Sequence, residues 1–91
     1  MTLDGIRDKV RAGGYGFSDH AVKRMIKRSI LRREVETVIS GGEIIEEYPH
    51  DKYSPSCLVY GKTEAGRDLH IHVSLPPIVV VITAYEPDPE E

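Results

Sequence analysis

Three polar residues spaced four apart have the side-chain chemistry that suits a phosphate group. His20, Arg24 and Arg28 lie in the run F-S-D-H-A-V-K-R-M-I-K-R, residues 17–28. Because four residues make about one helical turn, an α-helix would place the three side chains in one stripe. Guanidinium groups match pairs of phosphate oxygens, and an imidazole titrates near neutral pH. The stripe is therefore predicted to bind a phosphate and to transfer protons.

A second group of this kind is predicted on β-strands. His70 and His72 alternate with apolar residues in the run D-L-H-I-H-V, so a strand turns both imidazoles to one face. Chemistry at a phosphate without a metal needs a base, an acid and cations that stabilise the charge on the phosphorane. The predicted catalytic residues are His20, His70 and Tyr85, and the predicted substrate-binding residues are Arg24, Arg28, Arg32 and His72.

Structural interpretations compete with these assignments. His20 can pair with Asp19, and the two stripe arginines can form surface ion pairs, which are common and weak. One strand histidine can be a packing residue, and Tyr85 can be structural. His50 lies in a turn and is predicted to have no role. A zinc site of the other three histidines lacks an evident fourth ligand, so neither a metal nor another cofactor is predicted.

Length and composition indicate one small soluble domain over residues 1–91. No apolar run approaches the ~20 residues that span a bilayer, and the first residues lack a signal-peptide profile, so a cytoplasmic protein without membrane contact is predicted. The single cysteine, Cys57, excludes an internal disulfide.

The charge is unevenly distributed along the chain. Residues 1–40 carry nine Lys or Arg against five Asp or Glu, a net charge of +4, whereas residues 41–91 carry three against ten, a net charge of −7. A basic helical half attracts polyanions, although a pair of solvated helices would carry similar charge.

Hydrophobic periodicity predicts helices within residues 3–40 and a sheet within residues 43–86, followed by an acidic tail, 87–91, that frays. Helix breaks are predicted at Gly13-Gly14, Ser29 and Gly41-Gly42, and residues 15–16 are interpreted as loop. Four strands are predicted at about 43–48, 57–61, 68–75 and 78–85.

Short loops make neighbouring strands antiparallel. We therefore predict an α+β fold with N-terminal helices on one face of a four-stranded antiparallel sheet and the strand histidines on the open face. The predicted core includes Leu69, Ile71, Val73, Val80 and Ile82.

Five blocks of the chain resemble a small bacterial family of domains of unknown function. They are F-S-D-H-A-V-K-R-M-I-K-R-S-I, with the signature F-S-x-H-A-x-x-R-M-x-x-R, then E-I-I-E-E-Y-P, S-C-L-V-Y-G, D-L-H-I-H-V and I-T-A-Y-E-P. Members of that family are often encoded beside a small zinc-finger protein. In its layout the family is similar to toxins of the RelE, ParE and BrnT types, many of which cut messenger RNA without a metal.

The resemblance implies a ribonuclease toxin of a toxin–antitoxin pair, with RNA as substrate and a small zinc-finger antitoxin as partner. Of the two strand histidines in the matching block, His70 is predicted to be the functional one. The chain departs from RelE-type enzymes in having only Lys62 and Arg67 as basic residues near its strands, which argues against ribosome-dependent cleavage. The competing hypotheses are a non-catalytic module that binds nucleic acid or protein, and an inactive relative that acts as a regulator.

Overall fold

The computed structural model describes residues 1–87 as three helices and a five-stranded sheet, which confirms the predicted α+β class. In chain order the elements are α1 (Asp4–Arg11), β1 (Tyr15–Phe17), α2 (Asp19–Arg28), α3 (Arg32–Gly41), β2 (Glu43–Tyr48), β3 (Ser56–Lys62), β4 (Asp68–Ser74) and β5 (Val79–Tyr85). Residues 88–91, which form most of the tail predicted to fray, lie outside the described residues. No helix within residues 1–87 has the length and apolar character needed to cross a membrane.

The strand order is β1-β5-β4-β3-β2, and β2 to β5 pair antiparallel as predicted. The prediction of a four-stranded, wholly antiparallel sheet is wrong, because β1 adds a fifth strand that runs parallel to β5, with Tyr15 opposite Val79 and Phe17 opposite Val81. A three-residue strand with a glycine at its centre is too short to show the alternation that identifies a strand. Its backbone covers the edge of the first half of β5.

Ser18 connects this short strand to helix α2 and fixes both to β5. Its Oγ accepts a hydrogen bond from the backbone N–H of Ala21 at 3.0 Å, which is an N-cap interaction that serine favours. The same hydroxyl donates to the carbonyl of Ile82 at 2.7 Å, and the Ser18 N–H donates to Val81. The helix then ends at Ser29, which adopts the left-handed conformation, so the predicted break there is confirmed.

The core lies between the helices and one face of the sheet. Leu69, Ile71 and Val73 are fully buried, as predicted, but Val80 and Ile82 are only half-buried, so their assignment to the core is wrong. The β5 residues that enter the core are instead Val79, Val81 and Ala84.

A β-bulge explains the change of face along β5. His72 lies opposite Thr83 and Val73 lies opposite Val81, so Ile82 is an extra residue without a partner on β4. After the bulge, Thr83 and Tyr85 lie on the same face as the strand histidines. The open face therefore carries the β4 imidazoles and the Tyr85 ring together.

Helix α3 comes very close to β3 at its C-terminal end. A Cβ atom added at Gly42 would meet the backbone carbonyl oxygens of Tyr60 and Val38 at less than 3.0 Å, and one at Gly61 would lie 3.1 Å from the Val38 side chain. These glycines allow the helix and the strand to pack with their backbones in contact.

Candidate functional site

His70 lies at the centre of the open face, between a tyrosine on each neighbouring strand. It pairs with Tyr60 on β3 and with Tyr85 on β5. The His70 Nδ1 atom lies 3.3 Å from the Tyr85 hydroxyl, and the two ring centroids are 5.3 Å apart. The Tyr60 ring is nearly perpendicular to the imidazole at 5.8 Å. Two aromatic rings therefore hold the orientation of this imidazole.

A small charged cluster fixes Tyr60 in turn. The Tyr60 hydroxyl and the Lys62 ammonium both donate to Oδ1 of Asp68, each at 2.7 Å. The hydrogen bond to Asp68 raises the pKa of Tyr60, and the hydrogen bonds from Lys62 and then Tyr60 lower the pKa of Asp68. Tyr60 thus stays protonated at neutral pH, and Asp68 stays ionised beside it.

The basic stripe of α2 meets the histidine group through Arg24. The Arg24 guanidinium carbon lies 5.5 Å from the centroid of the Tyr85 ring, within the range of a cation–π contact. Arg24 also lines a surface cavity of about 310 Å³ whose other lining residues are His20, Lys23, Lys27 and Arg28. The structure therefore brings His20, Arg24 and Arg28 together, as predicted, and Arg24 connects them through Tyr85 to His70.

His72 lies two residues along the same strand but has different partners. Its Nε2 atom is 2.9 Å from the Oγ of Ser56, and Ser56 donates to Oδ2 of Asp51 at 2.7 Å. Burial lowers the pKa of His72, and the Asp51 carboxylate, 3.7 Å away, only partly offsets this effect. His72 lines a second cavity, on the turn after β2, and His50 lines the same cavity.

Arg32 is placed apart from the other predicted substrate-binding residues. Its Nε donates to the Tyr15 hydroxyl at 3.1 Å and to Glu36 at 3.4 Å, and its guanidinium lies over the rings of Tyr15 and Phe17. Burial, and then the hydrogen bond to Glu36, raise the pKa of Tyr15 to about 12. Arg32 therefore holds strand β1 against α3, and we leave it out of the candidate site.

Sequence reasoning missed Tyr60 and Ser56, although a signal for both exists. In the β3 run S-C-L-V-Y-G, alternation places Cys57 and Val59 on the core face and therefore Ser56 and Tyr60 on the open face. Only the register of β3 against β4 shows that these two residues lie beside the histidines.

The side chains that form the site have proton-transfer, cationic or aromatic character. Within residues 1–87, no three or more His, Cys, Asp or Glu side chains are gathered as they would be to hold a metal ion. The open sheet face carries two imidazoles, and a basic helix borders it. In this α+β domain such a surface has the chemistry that suits a ligand with both phosphate groups and flat rings.

The chain belongs to the family described as "Domain of unknown function (DUF4258)", whose model matches residues 17–86. The match confirms the resemblance to a small family of unknown function and includes all of α2, α3 and the strands that form the site. Searches of curated proteins and of solved structures gave no significant match.

Proposed function

We propose that the protein is a metal-independent endoribonuclease that acts on RNA in the cytoplasm as the toxin of a toxin–antitoxin pair. The single observation that supports this function best is the continuous contact from Arg24 through Tyr85 to His70. It joins a phosphate-binding group on a helix to an acid–base group on the sheet. The two groups come from distant parts of the sequence, as a catalytic site would require.

In the proposed mechanism, His70 is the base and His20 the acid. Donation of the Nδ1 proton to the Tyr85 hydroxyl leaves Nε2 of His70 free to accept the proton of a ribose 2′-hydroxyl. The 2′-oxygen attacks phosphorus, the bond to the 5′-oxygen breaks, and the His20 imidazolium protonates that oxygen. Arg24 and Arg28 stabilise the charge on the phosphorane. The products are a 2′,3′-cyclic phosphate and a free 5′-hydroxyl.

The aromatic rings of the open face are an argument for a single-stranded RNA substrate. Tyr60 and Tyr85 flank the imidazole and are both half-buried, so part of each ring is accessible. Proteins that recognise unpaired RNA stack its bases on such rings while basic groups contact the backbone. The same geometry would serve a binding module that lacks catalysis, so the experiment has to separate cleavage from binding.

The test uses a labelled single-stranded RNA and the native protein in the presence of a chelator. We expect cleavage with a cyclic phosphate end, and a fall in rate of about 10²–10⁴ for His70→Ala and for His20→Ala, because each removes a proton-transfer group. Expression of the native protein should arrest bacterial growth, and both variants should relieve it. The control is Arg11→Ala, since Arg11 is exposed and its ion pair among residues 1–87 is with Asp8 of the same helix. Intact RNA with native protein, or undiminished cleavage by both histidine variants, would overturn the catalytic assignment; binding without cleavage would support the binding module.

The proposed antitoxin would bind the other side of helix α2. Val22 and Ile26 lie there, and Ile26 is 76 % exposed. With Ile30, Leu31 and Arg32 they line an apolar groove of about 500 Å³. An exposed apolar groove with a cation at its rim fits an amphipathic helix that carries acidic residues.

A variant at this groove should separate inhibition from catalysis. Ile26→Asp places a negative charge in the groove and leaves the stripe unchanged, because residue 26 lies on the opposite side of the helix from Arg24. We expect it to cleave RNA at the native rate but to escape inhibition by the proposed zinc-finger antitoxin. If that protein still inhibits and binds Ile26→Asp as tightly as the native protein, the groove is not its docking site.

A further inference from the structure

The second cavity lies at the turn between β2 and β3. Its lining side chains include several rings but no Lys or Arg. Its volume is about 390 Å³, and it is lined by Tyr48, Pro49, His50, Asp51 and His72. None of these is Lys or Arg, in contrast to the cavity on α2. A cavity of this composition is poorly suited to a phosphate and better suited to a flat, uncharged ligand.

The hydrogen bonds behind the cavity determine which His72 nitrogen can accept a hydrogen bond. The Ser56 hydroxyl has one proton, and its short contact with the ionised Asp51 carboxylate, an acceptor only, assigns that proton to Asp51. Ser56 must therefore accept a hydrogen bond from Nε2–H of His72. The neutral ring then has its lone pair on Nδ1, which is a hydrogen-bond acceptor.

Asp51 adds further acceptors at the edge of the cavity. Its Oδ1 accepts from the backbone N–H of Lys52 at 2.9 Å and its Oδ2 accepts from Ser56, and each carboxylate oxygen can accept another bond. The Asp51 side chain is 35 % exposed, so these positions are open to a ligand. These acceptors therefore favour a ligand that donates hydrogen bonds.

Tyr48 supplies the ring surface. Its hydroxyl is already hydrogen-bonded to Glu46, and its ring meets the His72 ring edge-on, with centroids 5.2 Å apart. The hydrogen bond to Glu46 raises the pKa of Tyr48 to about 12, so the ring stays neutral. A flat heterocycle can stack on this ring while its donors reach Asp51 and His72.

We infer that this cavity is a subsite for an unpaired nucleobase that carries an exocyclic amino group, so that it takes cytosine, guanine or adenine in preference to uracil or hypoxanthine. The inference rests on the proposed function only in that RNA supplies the base. His72 and His70 are alternate residues of one strand, about 7 Å apart along it. A base bound at His72 would therefore belong to a nucleotide next to the phosphate bound at His70.

The test uses free nucleosides, which have no phosphate to bind or cleave. We expect cytidine to shift the ring resonances of His72 and Tyr48 in NMR spectra of the native protein, and to bind about 5–150-fold more tightly than uridine. Guanosine should bind more tightly than inosine, which lacks the 2-amino group, for the same reason. Asp51→Asn, which removes acceptor capacity, should abolish both preferences.

Variants of Tyr48 provide a matched pair. Tyr48→Ala should weaken cytidine binding by about 5–150-fold because the stacking surface is removed, whereas Tyr48→Phe should bind as the native protein does, because the hydroxyl is engaged by Glu46. Equal affinity for cytidine and uridine, or shifts confined to His70 and Tyr60, would overturn the inference. Nucleoside binding at His72 with RNA left intact would instead refute the ribonuclease and leave the subsite standing.

Discussion

Arg67 donates a hydrogen bond of 2.6 Å from its Nη2 atom to the backbone carbonyl of Arg28, at the last residue of helix α2. Its Nη1 atom donates to the next carbonyl, that of Ser29, at 3.0 Å. The same guanidinium pairs with Glu34 and Glu86. Arg67, one of the two basic residues that the sequence places near the strands, is therefore a cap for the helix that carries the basic stripe.

We expect Arg67→Ala to lower the free energy of unfolding by about 1.5–3 kcal/mol, because the variant cannot form the hydrogen bonds from a charged donor to the helix end and to two carboxylates. Urea unfolding followed by circular dichroism measures this change. Arg11→Ala, which removes an exposed pair with Asp8, should cost at most about 0.5 kcal/mol. Equal costs for the two variants would contradict the capping role.

The stripe on α2 should supply the salt-dependent part of RNA binding. Reversal of charge in the double variant Arg24→Glu, Arg28→Glu should abolish binding at moderate salt. At low salt it should reduce the dependence of log affinity on log salt by roughly 0.7 for each phosphate that the protein no longer neutralises. Fluorescence anisotropy with a labelled RNA measures both effects.

The matched control for this experiment is the double variant Lys9→Glu, Arg11→Glu, which changes the net charge equally on exposed residues of α1. We expect it to bind nearly as tightly as the native protein. If the two double variants bind RNA equally weakly, overall charge rather than the stripe controls binding.

The lowered pKa of His72 makes stability depend on pH in a definite direction. Burial holds this pKa below the ordinary imidazole value of about 6.5. Between the folded pKa and about 6.5 the unfolded chain binds more protons than the folded one, so the free energy of unfolding rises with pH. Stability should therefore be lost as the pH falls below about 6.5.

Urea unfolding at several pH values from 5 to 7.5 tests this dependence. His72→Gln keeps a group that can donate to Ser56 but cannot titrate, so its stability should fall less steeply over this range than that of the native protein. His50→Gln, on an exposed residue of the neighbouring turn, is the control and should retain the native slope. Identical slopes for His72→Gln and the native protein would show that His72 does not contribute.

The close approach of α3 to β3 predicts opposite effects for two adjacent glycines. Gly42→Ala should destabilise the fold by about 1–3 kcal/mol, because the new Cβ meets two backbone carbonyls that cannot move independently. Gly41→Ala, at a helical position with open space around it, should be neutral or stabilise by up to about 1 kcal/mol. Thermal unfolding of both variants measures the difference, and similar melting temperatures would exclude a tight contact at Gly42.

The sequence predicted those parts of the site that depend on local periodicity. Spacing of four placed Arg24 beside His20 and Arg28, and alternation placed His70 on the open face. It could not show that Arg32 turns to Tyr15, because that contact depends on strand β1, whose three residues carry no periodic signal. The role of Ser56 likewise depends on strand register.

The prediction of which β5 residues enter the core was wrong for a related reason. Alternation in the apolar run 78–85 is ambiguous, since nearly every residue could face inward. Only pairing with β4 shows that Ile82 is the bulge residue and that Val79 and Val81 are buried. Such a run fits either phase of the alternation, so periodicity alone does not determine which of its residues are buried.

The bulge at Ile82 also affects how this domain can change by insertion and deletion. With Ile82 present as an extra residue, Thr83 and Tyr85 face outward; with Ile82 deleted, ordinary alternation from Val81 would give the same facing. In β4, where each residue from 68 to 74 has a partner on β3, loss of one residue would exchange the buried and exposed faces of part of the strand. Strand β5 can therefore lose one residue at the bulge and keep its faces, whereas β4 cannot.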